Sequence, residues 1–381
     1  MERSILNEDH ERFRDAFRRF CETEVVPFHG DWEKQGMVPR SLWRKAGEAG
    51  FLCPWLEEGL GGAGADFLCS VVIMEELAKI RATGPAFSVH SDICAPYIDS
   101  YGSAEQKSRW LPASAAGEKI LAIAMTEPGA GSDLAGIQTT ATAEGDSYVI
   151  NGSKTFISNG QLCDLVIVVA KTEPDADPPY AGISLIVVEE GTAGFEKGRN
   201  LEKMGLKAQD TSELSFADCV VPKDNLLGEE GKGFYYLMEK LQQERVVVAA
   251  GCMASAEVVL AEGVDYCKQR TAFGRPIGKF QHIAFRLAEL ATEVEIGRVF
   301  VDRLLKEHIE GKELVSEASM AKWWVTDLLK RACDEVLQFH GGYGYMMEYP
   351  IARDYLDARV QSIFAGSNEI MKLIISRRMG L

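Results

Sequence analysis

Ala124-Met-Thr-Glu-Pro-Gly-Ala-Gly-Ser-Asp-Leu134 divides the chain into two kinds of sequence. Before it, apolar residues recur at helical spacing; after it come short β-branched runs. Ile120 to Met125 reads as a strand, which Pro128, Gly129 and Gly131 then break. Ser132 and Asp133 follow on backbone that two glycines leave open to close approach. A turn of this composition can present N–H groups and hydroxyls to a phosphate or a flat ring. It lacks the third glycine of the dinucleotide fingerprint, because Leu134 stands in its place. A plain connecting turn is the competing reading.

Working outward, Phe13, Phe17 and Phe20 recur three and four apart, and Val71, Met74, Glu75 and Ala78 continue the helical pattern. Ser103-Ala-Glu-Gln106 matches a capping box and predicts a helix from Ala104 to about Ala116. Pro54 to Asp66, with Gly59-Leu-Gly-Gly-Ala-Gly64, predicts a loop. Beyond the opening stretch, Asp164–Ala170 and Gly182–Val188 read as strands. Asn151-Gly152 predicts a hairpin turn leading into a strand over Lys154–Ser158, and Glu173 to Tyr180 an exposed loop. From residue 231 the helical period returns, in Leu237–Gln269, Gln281–Glu310 and Val315–Phe339. The expectation is an α+β chain: an N-terminal α-helical domain (1–119), a middle antiparallel β-barrel-like domain (120–229) and a C-terminal four-helix bundle (230–381).

Composition narrows the function. The 381 residues carry a net charge of −16, which argues against a nucleic-acid partner. No apolar run looks long enough to span a bilayer, so stable membrane insertion is not expected. Met1 to His10 is charged at once, unlike a signal peptide. Nine scattered cysteines without a C-x-x-C read as reduced thiols in a cytoplasm-like compartment. The six histidines show no metal-binding spacing, so no metal is expected. Gly228-Glu-Glu-Gly-Lys-Gly233 is too short for a phosphate loop and lacks its Ser or Thr.

Five glycine- or polar-rich islands stand out. They are Met125–Leu134, Lys154–Gly160, Arg270–Gly274, His340–Gly344 and Gln361–Ile370. Together they resemble the flavin-dependent acyl-CoA dehydrogenases over nearly the whole chain. Met125-Thr-Glu-Pro-Gly-Ala-Gly-Ser-Asp133 is similar to that family's mid-chain signature, and Gln338-Phe-His-Gly-Gly-Tyr-Gly344 to its C-terminal one. Within the family the likeness is to long-chain members, through Met204–Asp210, Gly233–Tyr236, Ala358–Gln361 and Asn368–Lys372. The resemblance implies a homotetramer with one FAD per subunit, acting on acyl-CoA and passing electrons to electron-transfer flavoprotein. It implies that Met125, Thr126 and Ser132 line the flavin and the pantetheine, with Phe156 and Ser158 on the other flank. Arg270, Phe273, Gln281, Gln338, Gly341 and Gly342 would reach the FAD of a neighbouring subunit, and Ser367 and Glu369 would also touch cofactor. Arg270 offers a fork of donors suited to a pyrophosphate.

The reaction needs a carboxylate to take the α-proton. Many family members carry it just before the Gly-Ser of the last island, where this chain has Ala365 followed by Gly366 and Ser367. Other members carry it on an earlier helix before an arginine, and Leu241-Gln-Gln-Glu-Arg245 matches that place. Glu244 is therefore the candidate base. Val246, Val247 and Val248 follow, so desolvation is expected to raise its pKa toward the working pH. The alternative is an ion pair with Arg245 on a wet face. The resemblance puts Arg245, Ala365 and Gly366 near substrate, with the Ala365 N–H as a donor to the thioester carbonyl. Asp92, in Ser88-Val-His-Ser-Asp-Ile-Cys94, falls near the acyl chain by the same pattern. It could meet a polar acyl group or take a proton with His90 beside it, or merely bond backbone.

The function expected is formation of a trans-2-enoyl-CoA from a saturated, medium- or long-chain acyl-CoA. The alternatives are a branched, cyclic or carrier-protein-bound thioester with Asp92 contributing, or a non-catalytic scaffold of the same fold.

Overall fold

Residues 3–381 are described by a computed structural model; Met1 and Glu2, which open the charged N-terminal stretch, lie outside the described residues. Six helices come first: α1 (Glu8–Glu24), α2 (His29–Gln35), α3 (Arg40–Glu48), α4 (Phe67–Lys79), α5 (Ala95–Tyr101) and α6 (Ala104–Ala115). The Ser103–Gln106 capping box forms in full and starts α6 where the sequence puts it. Asp66 caps α4 after the glycine-rich loop. A π-helical turn, Val89–Cys94, runs directly into α5. Glu75, buried inside α4, is surrounded by Arg3, Arg14 and Arg298, which ties the chain start to α4 and the later bundle.

The middle region is one eight-stranded sheet. Its strands are β1 (Leu121–Ala124), β2 (Thr140–Glu144), β3 (Ser147–Ser158), β4 (Leu165–Lys171), β5 (Ile183–Glu189), β6 (Phe195–Asn200), β7 (Thr211–Pro222) and β8 (Leu226–Leu227). The order is β6-β7-β3-β2-β4-β5-β8, with β1 beside β4. The sheet is mixed rather than wholly antiparallel, because β1 and β2 both pair with β4 in parallel. The strand order leaves β6 and β8 at separate ends, so it is an open sheet and not a closed barrel.

The hairpin predicted at Asn151-Gly152 is not there. β3 runs straight through that dipeptide, and the β2–β3 turn is Gly145-Asp146. Asn151-Gly152 forms a bulge instead, where the register against β7 shifts. A Cβ on Gly152 would lie 2.4 Å from Thr139 Oγ1, so glycine is needed for close approach rather than for a turn. The Asn151 side chain bonds Asp218 on β7 and bridges the irregularity.

Helices return as α7 (Gly233–Gln269); the short β9 (Thr271–Ala272) and β10 (Arg275–Pro276) follow, then α8 (Gln281–Ile309), α9 (Val315–His340), α10 (Pro350–Gln361) and α11 (Asn368–Arg378). These are five helices, three long and two short, where the sequence suggested a bundle of four. α7 also corrects the expectation about apolar runs, since it is long and apolar enough by composition to cross a bilayer. Its apolar residues belong to the bundle core, where Val246, Ala249, Met253 and Val259 pack with Val301, Leu328 and Val336. A buried central helix passes the same test as a membrane span.

Candidate active site

The opening stretch is held by contacts at both ends. Leu121 of β1 donates its N–H to His90 Nδ1 at 3.0 Å, and its carbonyl accepts from Asn159 Nδ2 at 3.1 Å. Glu127 and Ala130 then close a tight turn through two backbone hydrogen bonds of 2.8 and 3.1 Å. The Glu127 carboxylate turns inward. It accepts from the Gln138 and Thr139 amides at 2.5 and 3.0 Å and pairs with Lys154 of β3 at 2.8 Å. Lys154 also reaches the Met125 carbonyl at 3.2 Å. Lys154 and the amides hold Glu127 below the usual carboxylate range against burial, and burial pulls Lys154 down to about 8. Nothing in the sequence reading singled out this pair.

A cavity of about 330 Å³ opens beside that turn. Met125 and Thr126 line it from the turn, Phe156 and Ser158 from β3, Glu244 from α7 and Ala365 from the loop before α11. Among the described residues, Glu244 is the one carboxylic acid on its walls. Much of the remaining lining is apolar: Met74 and Leu77 from α4, Val89 and Ile93 from the π-helical turn, and Val247 and Val248 from α7. Phe156 and Ala365 both sit at positive φ, +59° and +51°. Left-handed backbone is costly for non-glycine residues and collects at functional sites. Phe156, on the cavity wall, is 68% exposed.

Glu244 is 6% exposed. Burial pushes its carboxyl up to about 7, with the Tyr97 hydroxyl and the Arg245 charge pulling the other way. The Tyr97 hydroxyl donates to Oε1 at 3.1 Å. The wet-face ion pair is excluded. Arg245 is itself buried, its Nε has no hydrogen-bond partner, and no salt bridge joins it to Glu244 among the described residues. Arg245 shares the face of α7 with Val248 and Cys252, three and seven residues on, without lining the cavity.

The loop that carries Ala365 is pinned from below by a lysine the sequence reading passed over. Lys322 of α9 is fully buried, and its Nζ donates to Gly366 O at 2.7 Å and Asn368 Oδ1 at 3.1 Å. Burial draws its pKa down to about 8. Lys322→Met takes the donor from the Gly366 carbonyl and one of two donors from Asn368 Oδ1, which keeps Thr326 Oγ1 at 3.2 Å, so we expect a loss of about 1–3 kcal/mol in chemical denaturation. Unchanged stability would show that the lysine does not hold the loop.

The other expected residues fall elsewhere. Ser132 is exposed on the turn, and Gly366 is not on the cavity wall. Ser367 caps α11 through the Ile370 amide, and Glu369 is exposed in that helix's first turn. Asp92 is 4% exposed, pushed up to about 7 by burial, and does not reach the cavity. Its Oδ1 has no partner among the described residues. His90 does not pair with it: Nε2 meets Ser114 O at 3.1 Å while Nδ1 accepts from Leu121, and burial lowers its pKa to about 4. Arg270, Gly341 and Gly342 line a second cavity, of about 420 Å³, with the Arg270 guanidinium 5.4 Å over the Tyr343 ring. Phe273, at φ +52° in the β9–β10 turn, is 95% exposed, and Gln281 and Gln338 are exposed too. Among the described residues His10, Asp66 and Cys69 bring possible ligand atoms within 4.8 Å of one another. The Asp66 oxygen there is already used by His10 and by the Leu68 amide.

Comparison with known proteins covers almost the entire chain. Family models described as the N-terminal, middle and C-terminal domains of acyl-CoA dehydrogenase match residues 7–118, 122–219 and 231–380. The chain is 50% identical over 378 residues to a mitochondrial long-chain specific acyl-CoA dehydrogenase of Sus scrofa, covering 99% of this chain and 88% of that protein. Among solved structures it is similar to an acyl-CoA dehydrogenase from Geobacillus kaustophilus, at 59% identity and a TM-score of 0.98 with 99% of each chain covered. It is also similar to butyryl-CoA dehydrogenase from Megasphaera elsdenii, at 37% identity and a TM-score of 0.94 with 100% of each chain covered.

Proposed function

The chain belongs to the acyl-CoA dehydrogenase family, and from that premise we propose that it converts a saturated acyl-CoA to the trans-2-enoyl-CoA with Glu244 as the base. The observation that carries this reading is that Glu244 is the one carboxylic acid lining the cavity among the described residues. A base needs a pKa near the working pH, and burial supplies it. Medium or long chains are the substrates favoured, in line with the long-chain relative.

The residues present fit FAD. Phe156 offers an exposed aromatic ring, Thr126 and Ser158 offer hydroxyls on the same cavity, and the second cavity combines an arginine with two glycines whose Cβ positions are open. When bound, FAD supplies the acceptor for the hydride that leaves the β-carbon. The protein's own part is to hold the thioester over the apolar wall and exclude water. Glu244 takes the α-proton, while the Ala365 N–H faces the charge that develops on the thioester oxygen. Arg270, Phe273, Gln281, Gln338, Gly341 and Gly342 are absent from the Glu244 cavity. That separation supports their use on a neighbouring subunit's FAD, and with it a homotetramer. Electron-transfer flavoprotein is the acceptor proposed. The nine cysteines, all free and buried, support a reducing compartment such as the cytoplasm.

The test is anaerobic bleaching. The purified protein is expected to be yellow and to lose its flavin colour on mixing with straight-chain acyl-CoA. Scanning branched and cyclic thioesters ranks the alternatives in the same assay. A colourless protein that takes up no FAD, or a flavoprotein that no acyl thioester bleaches, sinks the reading.

A further inference from the structure

Glu244 has two oxygens, and the protein treats them differently. Oε1 accepts the Tyr97 hydroxyl at 3.1 Å. No hydrogen bond to Oε2 is formed by any described residue, and Glu244 lines the cavity. Tyr97 does not line the cavity; it is fully buried behind the carboxyl, on α5. α5 and α7 belong to separate regions of the chain, 147 residues apart at this contact, so the bond depends on how the two regions pack. Tyr97 is itself fixed in a core with Cys94, Ile98 and Leu237, and its ring lies 6.3 Å from that of Tyr101. A hydroxyl fixed in this way restricts the carboxyl to one orientation.

We propose that Tyr97 is a positioning residue for the proton transfer: it occupies Oε1, pins the Glu244 rotamer and leaves Oε2 as the atom that receives the α-proton. The inference rests on Glu244 being the base. The α-C–H bond breaks as an O–H bond forms at Oε2, and the electron pair of the C–H bond moves toward the thioester carbonyl. Tyr97 keeps its own proton throughout, since burial and the neighbouring carboxylate both raise its pKa well above the ordinary value.

The sign of the effect follows from the donor. A hydroxyl bonded to a carboxylate favours the charged form, so removing it raises the Glu244 pKa above about 7. Tyr97→Phe preserves the ring and deletes the bond. The acid limb of kcat/KM is expected to move upward by about one pH unit, as loss of one charge-assisted hydrogen bond implies. Near pH 6 the variant falls about tenfold below the parent from this cause, and the gap narrows as pH rises. A fluorinated tyrosine at position 97 is a stronger donor of almost the same shape, and it should move the limb to lower pH. In the Glu244→Gln background, Tyr97→Phe should leave the residual rate unchanged.

Parallel pH profiles, with Tyr97→Phe lowered by one factor throughout, overturn the proposal and leave Tyr97 a packing residue. An equal loss in the Glu244→Gln background does the same. Failure of this inference is distinct from failure of the reading beneath it. If Glu244→Gln turns over normally, the base is misassigned; if it has only a small residual rate while the Tyr97 variants keep the parent's limb, only the positioning role is lost.

Discussion

Glu244→Gln is expected to cut turnover to a small residual rate while leaving the flavoprotein intact. Glutamine has nearly the same shape and can still accept the Tyr97 hydroxyl, so cavity and fold should persist. What it loses is the ability to take a proton. General-base catalysis is worth about 10²–10⁴-fold, which sets the expected fall in the rate of bleaching by acyl-CoA at roughly 3–5 kcal/mol of barrier. Acyl-CoA should still bind, perturbing the flavin spectrum without bleaching it. The residual rate should lack the rise with pH through about 7 that an ionising base gives the parent. Near-normal bleaching would remove Glu244 from the mechanism.

The same substitution should raise stability at alkaline pH. Glu244 has a folded-state pKa of about 7 against an ordinary 4.5. Its contribution to stability is therefore fully present below 4.5 and is lost as pH rises through 7. Above that, the folded protein holds a buried carboxylate that the unfolded chain would solvate, at a cost of up to about 3 kcal/mol. Glutamine has no such cost. Thermal unfolding at pH 8 should show Glu244→Gln above the parent, and at pH 5 the two should converge. A parent more stable than the variant at pH 8 would mean that the carboxylate is solvated or paired, contrary to its burial among Val247, Val248 and Tyr97. Base strength and stability oppose each other here, because both arise from the same desolvation.

Local rules and resemblance reached different parts of this molecule. The capping box at Ser103 and the β-branched runs of β4 and β5 were legible because local patterns suffice for them. Asn151-Gly152 misled because the same dipeptide suits both a hairpin turn and a bulge, and only the neighbouring Thr139 decides between them. The proposal of Glu244 as base came from the vacancy at Ala365, a matter of family pattern. Its elevated pKa followed from three adjacent valines. Tyr97 and Lys322 were not readable, since each acts on a group 147 or 44 residues away. Asp92 drew attention as a charge near the acyl path, yet the π-helical turn buries it away from the cavity.

Lys154→Met should be among the most damaging single changes outside the reacting groups. Lys154 is fully buried on β3 and its side chain of four methylenes crosses to the opening turn, where Glu127 is 5% exposed at the side chain. Removing the ammonium leaves Glu127 as an unpaired buried carboxylate, still bonded to two amides but without its counter-ion. Breaking a buried pair from one side costs about 3–5 kcal/mol. The Met125 carbonyl loses its donor as well, so the residues that line the cavity lose an anchor. Lys154→Met should therefore unfold at clearly lower denaturant and retain less FAD. The double variant Lys154→Met/Glu127→Gln decides the cause. With the carboxylate neutralised, most of the lost stability should return, because an uncharged amide in that place carries no charge to desolvate. FAD retention should return less completely, since Met125 remains without its lysine. If the double variant is as unstable as the sum of the two single changes, the pair contributes through packing alone. In that case the turn from Met125 to Leu134 is held by its backbone hydrogen bonds, not by the buried charge beneath it.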